Sequence, residues 1–243
     1  MLRNPAATTG LLLAATLLAA AAAAALPEFE ASFELRRDSL RIGTTTLSLS
    51  RDDNGQYRYE SRTRPSSWTA WVLRDRRHES SRGHLDATGI RPLEYHYERR
   101  SGGRERTARL LFDWEGMRVE NQVDGSRWGM HIPAGTLDKL ASQLGMILAL
   151  QRGESDITFK IADGGRLKEY RFRVLGKQTL EVPAGTFATV KLTRQRENSQ
   201  YETHIWCAPA LDYFPVRIRQ RAADGTEYQS DLESVSESLR VDN

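Results

Sequence analysis

The sequence predicts a mainly β protein: a single curved antiparallel sheet of roughly a dozen strands, forming a barrel or half-barrel, with one central helix over about residues 137–151 packed on its concave side. Three observations predict it. Apolar and polar residues alternate with period two over most of the chain from residue 28 on, as in strands with one dry and one wet face. Turns bearing Gly, Asp and Asn separate these runs at short spacing, so successive strands lie antiparallel. Only one stretch has strong helical periodicity, too little to cover such a sheet, which must therefore curl on itself or pack on a second sheet.

Residues 1–25 stand apart from a single β-rich exported domain over 26–243. Arg3 and the α-amino group give a positive start, Leu11 to Ala24 is apolar except for Thr16, and the alanines from Ala20 to Ala25 offer a small-residue cleavage site. These are the parts of a secretory signal peptide. The run is too short and alanine-rich for a membrane span, and no basic stop-transfer cluster follows. Cleavage after Ala25 is expected, leaving no transmembrane span, and no cysteine lies near that site to carry an N-terminal lipid. The expected destination is the bacterial periplasm.

The first strand carries Phe29, Ala31, Phe33 and Leu35 on one face and Glu28, Glu30, Glu34 and Arg36 on the other. Apolar parity changes between Leu40-Ile42 and Leu47-Leu49, and Gly43 marks a bulge or kink at the change. Asp53-Asn54-Gly55 turns the chain into the Tyr57-Tyr59 strand. Leu93, Tyr95 and Tyr97 alternate with Glu94, His96 and Glu98; after Ser101-Gly102-Gly103, Ala108, Leu110, Phe112 and Trp114 share a face. Met117, Val119 and Val123 follow Glu115-Gly116.

Beyond the helix, Ile157, Phe159 and Ile161 lead to Asp163-Gly164-Gly165, and Tyr170, Phe172 and Val174 return. Val190-Leu192, then Tyr201, Thr203, Ile205 and Cys207, then Phe214, Val216 and Ile218 continue the pattern, with a last turn at Ala223-Asp224-Gly225. Trp206 shares parity with Glu202 and His204 and is expected to be exposed.

The helix is read from Leu137, Leu140, Ala141, Leu144, Ile147 and Leu148, with Thr136 or Asp138 as its cap and Arg152-Gly153 at its end. Met146 widens the apolar stripe, so both flanks are expected to be covered. A weaker helical turn is expected over Ser66 to Leu73, capped by Ser66 or Ser67. Pro-Ala-Gly-Thr occurs at 133–136 and again at 183–186. A reused turn accounts for both copies, because one leads into a helix and the other into a strand.

Composition narrows the function. One cysteine excludes a disulfide framework and cysteine-rich zinc modules. With Lys+Arg 35 against Asp+Glu 32, the excess of +3 is small. Glu105 and two glycines interrupt the arginines between Arg99 and Arg106, so no nucleic-acid face is expected.

Catalytic constellations are equally absent from the pattern. Cys207 and His204 fall on opposite faces of one strand. The five histidines form no helical i, i+4 pair, and His78 and His84 on one strand stand about 20 Å apart at ~3.3 Å per residue. No nucleophile elbow, phosphate loop or dinucleotide fingerprint is present. Asp52-Asp53 and Asp231/Glu233 sit at turns and on wet faces. No catalytic residue, metal site or cofactor is expected.

The tryptophans are more informative. Trp68, Trp71 and Trp114, with Leu140, Leu144 and Ile147 of the helix, are the candidate lining of a hydrophobic ligand groove. The expected ligand is an apolar or amphiphilic, lipid-like molecule held without catalysis. The alternative is an envelope protein-interaction module with a filled core, and a cell-envelope hydrolase is the remaining class. Nothing in the pattern sets an oligomeric state.

Leu93-Glu94-Tyr95, Leu111-Phe112-Asp113-Trp114, Thr136-Leu137-Asp138, Val182-Pro183-Ala184-Gly185-Thr186-Phe187, and Trp206 to Pro209 followed by Tyr213-Phe214-Pro215-Val216 come in that order. With the export signal, they resemble the exported bacterial proteins grouped as domain of unknown function 3108, over roughly residues 28–235. The resemblance implies a curved β-rich architecture, similar to periplasmic half-barrel lipoprotein carriers, and brings no catalytic residues with it.

Overall fold

A computed structural model describes residues 26–66, 75–86, 89–196 and 199–239. The first half of the chain is a meander of β1 (Phe29–Arg37), β2 (Leu40–Arg51), β3 (Tyr57–Pro65), β4 (Arg76–Asp86), β5 (Gly89–Ser101), β6 (Arg104–Asp113), β7 (Arg118–Val123) and β8 (Ser126–His131). A two-residue strand, β9 (Leu137–Asp138), leads into helix α1 (Ala141–Gln151). The second meander is β10 (Asp156–Asp163), β11 (Arg166–Val182), β12 (Gly185–Arg196), β13 (Tyr201–Ala208), β14 (Phe214–Ala222) and β15 (Glu227–Val235).

All fifteen strands form one sheet in the order β8-β7-β6-β5-β4-β3-β2-β1-β15-β14-β13-β12-β11-β10-β9. The first and last long strands pair at its centre, where Phe33 lies opposite Leu232. Every pairing is antiparallel except the short parallel one of β9 with β10, where Leu137 lies opposite Ile161 and Asp138 opposite Ala162. The sheet is curved and not closed, since β8 and β9 at its two ends do not pair. Trp128 of β8 reaches across, its Nε1 donating to the Gly165 carbonyl in the β10–β11 turn at 3.3 Å. Gly165 has φ +73°, and a Cβ there would lie 1.9 Å from the Trp128 ring, so position 165 requires glycine for two reasons.

The concave face holds the core. Phe29, Ala31, Phe33, Leu47, Leu49, Leu110, Phe112, Ile157, Ile161, Phe172, Leu192, Ile205, Phe214, Val216 and Leu232 are all buried, which is the parity read from the sequence. The predicted bulge lies beside Gly43: Leu35 faces Gly43, Arg36 faces Arg41, and Ile42 is the extra residue. A Cβ on Gly43 would come 2.4 Å from the Arg64 carbonyl oxygen of β3, so close backbone approach fixes that glycine.

The helix starts later than 137. Leu137 and Asp138 are extended against β10, and α1 begins at Ala141. Asp138 explains the change: its Oδ1 accepts from the Leu140 and Ala141 N–H groups, both at 2.8 Å, so it caps the helix from the strand before it. The C-terminal end is as expected, with Gly153 at φ +81°. Both flanks of α1 are covered, with Ala141, Ser142, Leu144, Gly145, Met146, Ile147, Ala149 and Leu150 buried.

Trp206 is a further correction: it is buried, at 4% exposure. It stands on the polar-parity side, but the Lys191 ammonium and Arg219 guanidinium lie 5.2 and 5.4 Å from its ring centroid. Long cationic side chains thus bury an aromatic ring on an otherwise wet face. The helical turn expected over Ser66 to Leu73 falls, after Ser66, outside the described residues.

Candidate functional site

The candidates are a buried polar cluster where the chain enters α1 and open hollows at the rim of the sheet, one of them beside Trp114. The cluster is built on β3, β4 and β5, whose inward positions hold Tyr57, Tyr59, Glu79, Ser81 and Tyr95, all buried. The Ser81 hydroxyl donates to Asp138 Oδ2 at 2.6 Å and lies 2.8 Å from the Tyr57 hydroxyl. Tyr59 donates to Gln143 Oε1 of α1 at 3.1 Å. Tyr95 donates to Glu79 Oε2 at 2.7 Å, and Lys139 Nζ donates to the same oxygen at 2.9 Å.

The two carboxyl groups titrate in opposite directions. Burial raises the Asp138 pKa to about 6, against the pull of the Ser81, Ala141 and Leu140 hydrogen bonds. Burial also acts to raise Glu79, but the charge and hydrogen bonds of Lys139, the Tyr95 hydroxyl and the charge of Arg77 bring it below the usual carboxylate range. Burial raises Tyr57, and the nearby Asp138 charge adds to it. Burial likewise raises Tyr95, reinforced by Glu79.

Chemically, this is a cap and a set of satisfied pairs. The Ser81 hydroxyl points at Asp138 with a phenol behind it rather than an imidazole. His78 and His204 lie next to Glu60 and Glu202 at 3.4 and 3.5 Å, outside this cluster. Among the described residues no group of three or more His, Cys, Asp or Glu is placed to hold a metal ion. Burial pushes the Cys207 thiol well above its ordinary value.

The hollow lies at the end of the sheet where β5 begins. Gly89, Ile90, Arg91, Trp114, Met117, Ala134 and Gly135 line a mainly apolar space of about 310 Å³. Trp114 is fixed in its wall: Nε1 donates to the Pro92 carbonyl at 2.6 Å, Phe112 stacks on it at 5.7 Å, and the Arg91 guanidinium lies 5.4 Å from the ring centroid. A second hollow, of about 420 Å³ and mixed polarity, lies at the β8 end between Leu111, Arg118, Glu120, Arg127 and Trp128.

The predicted site residues are therefore separated. Leu140, Leu144 and Ile147 are 1%, 0% and 1% exposed inside the packed core, and none of them lines the Trp114 hollow. Trp114 packs on the outside of that core. Trp68 and Trp71 lie outside the described residues. Sequence reasoning missed the Tyr57–Ser81–Asp138 and Tyr95–Glu79–Lys139 groups. Their signal was present in β4, where Glu79 and Ser81 share parity with Leu85 and so occupy inward positions.

The model of the family described as "Protein of unknown function (DUF3108)" matches residues 28–233. The chain belongs to the DUF3108 family. Among solved structures, this DUF3108 chain is similar to a β-barrel-like DUF1849 protein from Brucella abortus, at 10% identity and TM-score 0.58, covering 90% of this chain and 99% of that one. At that identity the likeness concerns the fold alone. It also matches a candidate exported protein with a YmcC-like fold from Bacteroides fragilis, at 13% identity and TM-score 0.35, over 87% and 98% of the two chains. MucB in complex with MucA matches at 9% identity and TM-score 0.33, over 91% of the DUF3108 chain and 57% of that chain. A search of the curated proteins finds no match. Among the described residues no helix is long and apolar enough to cross a membrane.

Proposed function

We propose that the protein is an exported, non-catalytic binding module of the bacterial envelope that holds an apolar group of a lipid-like ligand in the Trp114 hollow. The observation that carries this reading is the hollow itself. Its volume of about 310 Å³ and its lining by Ile90, Trp114 and Met117 suit an acyl segment or a small ring. Arg91 at its rim keeps a charged, solvated edge beside the apolar wall. In this reading Trp114 is the contact residue, and Leu140, Leu144 and Ile147 remain in the packed core away from the lining. Residues 1–25 direct export to the periplasm and are removed there, which N-terminal sequencing of periplasmic protein tests.

Titration with the apolar fluorophore N-phenyl-1-naphthylamine tests the binding. Saturable fluorescence enhancement is expected, lost in Trp114→Ala and in Ile90→Asp while far-UV circular dichroism is unchanged. Unsaturable enhancement, or enhancement that both variants retain, would refute the assignment.

A second reading, an interaction module with a filled core, is favoured by the β8 end. There Leu111 and Trp128 are 37% and 38% exposed, and β8 is an end strand of the sheet. Photocrosslinking from position 111 in the envelope to one protein partner, with no apolar probe bound at Trp114, would select it.

A further inference from the structure

The mouth of the curled sheet away from Trp114 is lined by inward-facing cations. Along β5 it lies roughly 30 Å from the hollow, nine residues at ~3.3 Å each between Ile90 and Arg99. Three cations there have carboxylate partners: Arg99 with Asp75 at 2.7 Å, Lys139 with Glu79 at 2.9 Å, and Lys168 with Asp163 at 2.8 Å. Three arginines are less fully paired. Arg77 has a buried Nε with no hydrogen-bond partner. Arg196 lies 3.9 Å from Asp163, whose near bonds go to Lys168 and Tyr170, and it also interacts with the Tyr170 side chain. Arg194 makes no hydrogen bond or ion pair with an acceptor among the described residues, and its guanidinium lies 5.6 Å from the Tyr170 ring centroid.

Arg194 and Arg196 stand two apart on the same face of β12, and both lie against Tyr170, Arg196 at 6.0 Å. Burial pulls the Arg194 guanidinium below its usual range and the Arg196 charge adds to that effect, against the opposing influence of Tyr170 and Asp163. Two like charges side by side repel; Tyr170 and the Asp163 carboxylate offset this only in part, and an added anion would relieve it. Solvent reaches the place: the Arg196, Lys168 and Lys139 side chains are 31%, 29% and 32% exposed. Guanidinium forks match the oxygens of a phosphate group and bind it through paired N–H donors.

We propose that Arg194 and Arg196, backed by Tyr170, form a binding site for a phosphate-type oxyanion, with the charge of Arg77 extending the attraction along the mouth. The site is separate from the Trp114 hollow and stands or falls without it.

Calorimetric titration of the mature full chain tests this, using inorganic phosphate and, separately, monomeric lysophosphatidylglycerol. Binding that weakens with added salt is expected for wild type, with affinity reduced about tenfold or more in Arg194→Gln and unchanged in Arg171→Gln, whose arginine is paired with Asp156 at 2.5 Å and 43% exposed. Arg196→Gln gives the same reading if Arg194→Gln does not fold. Tighter binding of the lysolipid assigns the phosphate to a headgroup, and equal binding assigns a free oxyanion; both support the site. No binding of either probe at millimolar concentration, or binding that Arg194→Gln and Arg196→Gln both retain, overturns it. Trp114→Ala is expected to leave phosphate affinity unchanged, so failure of the hollow and failure of this site are read apart.

Discussion

Replacing Asp138 by asparagine should make the protein's stability less dependent on pH between 4 and 7. Asp138 is fully buried, and its pKa rises from the usual 3.8 to about 6. A carboxyl group that binds its proton more tightly in the folded than in the unfolded state contributes most below pH 3.8. That contribution falls as pH rises towards 6 and is constant above. The shift corresponds to about 3 kcal/mol in all, and about 2 to 3 kcal/mol falls between pH 4 and 7. The asparagine side chain has no such titration. Its Oδ1 retains the two cap bonds from Leu140 and Ala141, and its amide can donate to Ser81, which then donates to Tyr57.

Urea unfolding of both proteins at pH steps from 4 to 7 measures this. Titration of every other group, Glu79 included, enters both curves and largely cancels in the difference. Asp138→Asn should gain on wild type by about 2 to 3 kcal/mol as the pH rises across that window. A difference that stays constant within about 0.5 kcal/mol would mean that Asp138 is not desolvated as its surroundings require. Ser81→Ala supplies a second check. Removing the donor at 2.6 Å should push the Asp138 midpoint higher and steepen the pH dependence.

Other outcomes follow from single positions. Leu144→Ala should lower stability by about 2–5 kcal/mol in urea unfolding, since Leu144 is completely buried in the core. Gly43→Ala should lower it by about 1–3 kcal/mol, because the added methyl meets the rigid Arg64 carbonyl oxygen, and a smaller loss would show that β2 and β3 can separate there. Cys207, buried with a raised pKa, should react with a thiol reagent only on unfolding, so fast labelling of the native protein would contradict its placement.

Period-two alternation by itself determined the antiparallel sheet and the inward set, from Phe29 and Phe33 to Ile205 and Leu232, because each strand has to turn one apolar face from water. The Gly43 parity change located the bulge for the same reason, and one apolar helical stripe located α1. What alternation cannot carry is contact between distant strands. The Asp138 cap moved the helix start from 137 to 141 through hydrogen bonds that compete with helical propensity. Trp206 was buried by Lys191 and Arg219, side chains from the two strands flanking its own. Trp114 and the helix leucines were separated because α1 fits tightly enough to fill its own groove. Only the curl of the sheet brought Arg194 and Arg196 to one mouth with Lys139, since charge and packing act through space while the pattern of a strand reports only its own two faces.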